Sequence, residues 1–104
     1  MTGQVRHLGT SDAAKRLFLF GSALYSENPR DIDILVVYAT SLSPVDALDF
    51  RSKLISKLRK YIAIPIHVVL LSQSEERKLE FGKIENCRPL RRHDVRRWLN
   101  LARK

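Results

Sequence analysis

Cysteine is nearly absent from this chain. Cys87 stands alone among 104 residues, so no internal disulfide can form. The histidine nearest to it, His93, is six residues away, which is not a metal-ligand spacing. Long apolar runs are missing as well: none approaches the roughly 20 residues that a membrane helix needs. Met1 to Thr10 contains no hydrophobic segment of the signal-peptide type. No repeat or low-complexity stretch occurs. These absences set the expectation of a cytoplasmic protein with no membrane contact.

Acidic residues are scarce. There are 11 Asp and Glu against 19 Lys and Arg, for a formal net charge of +8. Such a balance favours anionic partners such as nucleotides, nucleic acid or an acidic protein face, although it equally suits a solvated surface. Hydrophobic residues make up 44% of the 104 positions, enough for one domain with a small core. A partner would help to bury the remainder.

The apolar run Arg16 to Phe20 (RLFLF) stops at Gly21-Ser22 and reads as a buried strand. Ala23 to Arg30 carries Ser26, Asn28 and Pro29 and reads as a loop. Asp31 to Tyr38 (DIDILVVY) is rich in β-branched residues and predicts a second strand. Ser43-Pro44 has the form of an N-cap followed by a first helical residue. Ala47, Leu48, Ile55, Leu58, Tyr61 and Ile62 then give the following helix an apolar face. Ile64 to Leu71 predicts a third strand, Ser74 to Phe81 a helix, Gly82 to Leu90 an irregular stretch, and His93 to Ala102 a basic helix. The expected architecture is α/β (α+β): one domain over residues 1–104, with a small mixed sheet and helices mainly on one face. Residues 1–11 are expected to be flexible, and residues 91–104 to form the basic C-terminal helix.

The stretch with chemical content is Leu17 to Tyr38. An apolar strand runs into Gly21-Ser22, and Asp31-x-Asp33 opens the next strand. Glycine permits a sharp turn and a close backbone approach to a ligand. Ser22 adds a hydroxyl, and free amides at the start of a helical turn attract phosphate. Asp31 and Asp33, two apart on a strand, share a face, and two neighbouring carboxylates favour a cation between them.

This arrangement resembles the signature of the DNA polymerase β-type nucleotidyltransferase superfamily, above all its minimal bacterial members. The similarity covers Leu17 to about Leu71. It implies that Gly21 and Ser22 hold a nucleoside triphosphate, that Asp31 and Asp33 bind Mg²⁺ (or Mn²⁺), and that a nucleoside monophosphate passes to an acceptor hydroxyl on protein or nucleic acid. It also implies an alternative reading, a catalytically degenerate binding protein acting as an antitoxin or partner of a helical protein.

Three departures from that pattern bear on function. The Ser22–Asp31 connection is short. Leu24, Tyr25 and Ser26 stand where such loops carry Arg and Gly, which leaves Arg30 as the candidate phosphate contact. The third carboxylate, which the resemblance expects on the next strand, is replaced by His67. A histidine there can serve as a base or as an ordinary structural residue, and as a ligand it suits Mn²⁺ or Zn²⁺ better than Mg²⁺. Outside this stretch, Arg88, Arg91, Arg92, Arg96 and Arg97 form a candidate nucleic-acid surface or a solvated helix face. Trp98 reads as a packing residue rather than a base-stacking platform.

Overall fold

Alternation in KRLFLF sends Leu17 and Leu19 to one side and Phe18 and Phe20 to the other, so strand β1 (Lys15–Phe20) can bury both faces. Strand β2 (Ile32–Tyr38) does the same, with Ile32, Ile34 and Val36 on one face and Leu35 and Val37 on the other. The computed structural model describes residues 15–101. The expectation of a flexible segment at 1–11, and the last three residues of the basic stretch, lie outside that range.

A tight 3-10 turn (Gly21–Leu24) follows β1, and β2 returns antiparallel to it. Helix α1 (Pro44–Arg59) begins where the Ser43 hydroxyl accepts the Asp46 amide at 3.1 Å, with Pro44 in the first turn. The chain crosses over to β3 (Ile66–Ser72), which lies parallel to β2. Two short helices, α2 (Gln73–Leu79) and α3 (Phe81–Ile84), precede a two-residue strand β4 (Arg88–Pro89) and helix α4 (Arg92–Leu101). Among the described residues the sheet has four strands in the order β3-β2-β1-β4, with mixed pairing. The domain is therefore a small mixed α/β fold.

The long helices share one face. Leu54 and Leu58 of α1 and Val95 and Trp98 of α4 pack on Leu17, Leu19, Ile32, Ile34 and Val36. Trp98 is 2% exposed, which assigns it to packing. The other face carries the smaller cluster of Phe20, Leu35 and Val37, partly covered by Phe81 and Cys87. Phe81 meets Phe20 edge-to-face with ring centroids 5.1 Å apart, a pairing worth about 1 kcal/mol beyond its burial. No helix among the described residues is long and apolar enough to cross a membrane.

Two local expectations need correction. Gly82 to Leu90 is not irregular throughout, because it contains most of α3 and all of β4. The helix expected at Ser74 to Phe81 instead ends at Leu79, because Glu80 takes a left-handed conformation with φ 51° and starts a new direction. Neither feature has a local signal. The first depends on β4 finding Phe18 and Leu19 of β1, the second on Phe81 finding Phe20.

Candidate functional site

The antiparallel register of β1 and β2 pairs Phe20 with Asp33. Gly21, the next residue, therefore comes over the Asp33 side chain. Its φ is +75°, and a Cβ at this position would collide with the Asp33 carboxylate. Only glycine satisfies both the left-handed backbone and the close approach. The parallel register then places His67 directly beside Asp33 on the neighbouring strand. Phe20, Asp33 and His67 thus form one row across the sheet, on the face away from α1 and α4.

Asp31 sits one residue before β2, in a bend, rather than as the first residue of the strand. The Ser22 hydroxyl lies 3.3 Å from both the Asp31 main-chain oxygen and its Oδ1, donating toward them. The two halves of the motif, nine residues apart in sequence, therefore meet through Gly21 on Asp33 and Ser22 on Asp31. Gly21, Asp31 and Asp33 are half-buried, while Ser22, Arg30 and His67 are exposed.

Burial pushes the Asp33 carboxyl above its ordinary value of 3.8. The Asp31 charge adds to the rise, His67 opposes it, and Glu85 raises it further. Glu85, which follows α3, was not a candidate on sequence grounds. Nothing in its spacing from Asp33 links the two, and only the docking of Phe81 on Phe20 brings that segment to this face.

Among the described residues, no three His, Cys, Asp or Glu side chains converge as a preformed metal cage. The donor set nevertheless suits one arrangement. Magnesium is commonly held by one or two carboxylates together with substrate phosphates, rather than by a cage made wholly of protein. Two mutually repelling carboxylates beside a serine hydroxyl fit that description.

Other features lie apart from this row. A cavity of about 580 Å³ opens further along the same face, over Phe18, Leu35 and Val37, with Arg16, Arg77 and Lys83 also lining it. None of the motif residues borders it. Cys87 borders it too, and burial together with Glu85 and Glu76 pushes its thiol up to about 11, so it stays protonated.

The C-terminal arginines divide into two groups. Arg91, Arg92 and Arg96 are exposed. Arg97 lies 3.3 Å from His93 Nε2 across one helical turn, and both line a hollow with Glu27 and Asn28 of the loop that leads to Asp31. Arg88 is removed from the proposed basic surface. Its guanidinium grips buried Asp94 with two hydrogen bonds, Nη1–Oδ2 at 2.9 Å and Nη2–Oδ1 at 2.6 Å.

Compared with protein-family models, curated proteins and solved structures, the chain returns no match. The functional reading rests on the site itself.

Proposed function

We propose that the chain binds a nucleoside triphosphate with Mg²⁺ at the Gly21–Ser22 turn and transfers its nucleoside monophosphate to an acceptor hydroxyl. The observation that carries this reading is the contact of Gly21 with Asp33. The sequence sets a phosphate-type turn against a carboxylate that burial and Asp31 already strain.

Asp31 and Asp33 would hold the cation, which supplies charge neutralisation for the transferring phosphoryl group. Gly21 keeps the space over Asp33 free of a side chain, so substrate oxygens can approach that carboxylate. Ser22 fixes the Asp31 carboxylate through its hydroxyl and is positioned to turn that hydroxyl to a phosphate oxygen. Arg30, exposed next to Asp31, offers a positive charge to the same phosphates. In the reaction, the acceptor oxygen forms a bond to the α-phosphorus, the bond to the pyrophosphate breaks, and the acceptor proton leaves. His67, beside Asp33, is the side chain able to accept that proton.

A second reading has an observation of its own. A histidine, not a carboxylate, occupies the register position beside Asp33, which weakens the grip on a second magnesium ion. That favours a protein which binds nucleotide without turning it over and works through a partner, for which a helical protein is the candidate.

Calorimetry with Mg²⁺ and ATP separates these outcomes from no function at this site. The wild-type chain is expected to bind at millimolar affinity or better, and the double variant Asp31→Asn, Asp33→Asn to give no heat. Equal heats from the two proteins would remove the site. Transfer from labelled ATP to RNA or protein, compared for wild type and His67→Asp with Mg²⁺ and with Mn²⁺, then distinguishes the readings. Slow Mg²⁺-dependent transfer that rises in His67→Asp supports the enzyme. Binding without turnover in both supports the partner protein.

A further inference from the structure

β3 is an outer strand of the sheet, and its backbone has an unusual amount left to bond. The Ile32 amide donates to the Pro65 carbonyl at 2.9 Å, and Ile32 is in register with Ile66. In a parallel ladder this phase turns the backbone groups of His67, Val69 and Leu71 toward β2. It turns those of Ile66, Val68 and Leu70 outward. The next outward amide, Ser72 N–H, is already engaged by Glu75 Oε1 at 2.9 Å. Three N–H and three C=O groups of Ile66, Val68 and Leu70 therefore point away from the sheet, and no described strand pairs with them.

Natural sheets protect such an edge with Lys, Pro, a bulge or a short strand. β3 has seven residues, IHVVLLS, with no Lys, Arg, Asp, Glu or Pro among them. Its central residues Val68, Val69, Leu70 and Leu71 stay half-exposed. The opposite edge is of the other kind. β4 has two residues, one of which is Pro89, and proline has no amide to donate.

We infer that β3 pairs antiparallel with β3 of a second copy of this chain, with Val68 facing Val68 across a two-fold axis. The outward groups match themselves in that register. Val68 exchanges both of its hydrogen bonds with Val68 of the second copy, and Ile66 exchanges with Leu70. Side chains meet as apolar pairs, with His67 opposite Val69, and no like charges are brought face to face. The joined sheet has eight strands and ends on β4 at both sides, so pairing stops at two copies. A second copy is the occupant because it brings the same uncharged seven-residue edge and because the joined sheet then ends on two short β4 edges, whereas a lone added strand would leave a new open edge. A two-fold axis perpendicular to the sheet keeps both Asp33–His67 rows on one face, each His67 flanked by the second copy.

Sedimentation of the full chain tests this. A reversible species of twice the 12.0 kDa chain mass is expected, with a dissociation constant on the order of micromolar for so small an interface. Val68→Pro removes the central outward amide but none of the His67 and Val69 groups that bond β2. It should weaken the dimer at least about tenfold, as befits two lost hydrogen bonds. Hydrogen exchange on the wild-type chain gives the same answer without a variant: the Val68 and Leu70 amides should slow as concentration rises. A monomer at all concentrations, or exchange at Val68 that ignores concentration, overturns the proposal.

Discussion

Asp33, the proposed cation ligand, works against the stability of its own fold. Its folded-state carboxyl is raised, so ionisation is harder in the native chain than in the unfolded one. The resulting penalty is fully present above the raised folded value. It fades as pH falls through that value and is gone below the ordinary 3.8. Asp33→Asn should therefore melt higher than wild type at pH 7 while losing Mg²⁺-dependent nucleotide binding, the exchange of stability for function common at binding sites. A thermal melt beside a binding titration checks it, and a lower Tm for the variant would refute the strain. Gly21→Ala should behave in the opposite way. The left-handed φ of +75° alone costs about 1–2 kcal/mol for alanine, and the displaced Asp33 carboxylate removes binding as well. A variant as stable as wild type in urea would show that the turn can relax.

The elements depend on a few polar closures. Ser72 ends β3 and caps α2, accepting the Glu75 amide at 3.1 Å while Glu75 returns a carboxylate to the Ser72 amide. Ser72→Ala is expected to cost about 1 kcal/mol, the ordinary worth of an N-cap. It should also loosen α2, which urea unfolding and hydrogen exchange at Glu75 would register. Arg88 and Asp94 close the other end of the fold, joining β4 to α4. Burial by itself would raise the Asp94 carboxyl. The hydrogen bonds from Arg88 and the Arg91 amide, with the charges of Arg88 and Arg97, outweigh it and hold the carboxyl below its usual range. The sign follows from linkage: this contribution is present above the unfolded value of 3.8 and is lost as pH falls through the lowered folded value. Arg88→Ala leaves a buried, unpaired charge and should cost about 3 kcal/mol at pH 7. The loss should shrink in acid, where the protonated carboxyl no longer needs the arginine. A loss independent of pH would mean that Arg88 acts only through packing.

At the scale of the molecule, the two sides of the sheet have different duties. α1 and α4 seal the face built on Ile34, Val36 and Trp98, and that face holds most of the core. The other face is covered by seven- and four-residue helices, leaving Asp33 and His67 accessible at one end and a cavity at the other. A chain of this length buries a modest fraction of its surface. Leaving one face thinly covered is tolerable because the opposite core is nearly closed. Half-buried Arg97 of α4 lines a hollow with Glu27 and Asn28 of the loop that leads to Asp31, while Arg92 and Arg96 of the same helix stay exposed.

Local chemistry in the sequence was enough to find the strands observed at Lys15–Phe20 and Ile66–Ser72, because β-branched and aromatic runs bounded by Gly and Pro have few alternatives; the second starts two residues later than the expected Ile64, because Pro65 falls before the strand and not within it. The Ser43-Pro44 helix start was legible for the same reason, since an N-cap acts over three residues. The meeting of Gly21 with Asp33 and of Ser22 with Asp31 was readable only as a motif. What places the glycine on Asp33 is the antiparallel register of Phe20 with Asp33, a non-local choice made by burying Leu17, Leu19, Ile34 and Val36 together. Tertiary structure alone decided the fate of Arg88. In sequence it is one more arginine of a basic tail, and only the packing of α4 buries Asp94 and draws that guanidinium inward. The break at Glu80, the docking of α3 and the approach of Glu85 to Asp33 belong with it. Each is set by a contact across the sheet, and no periodicity within ten residues encodes such a contact.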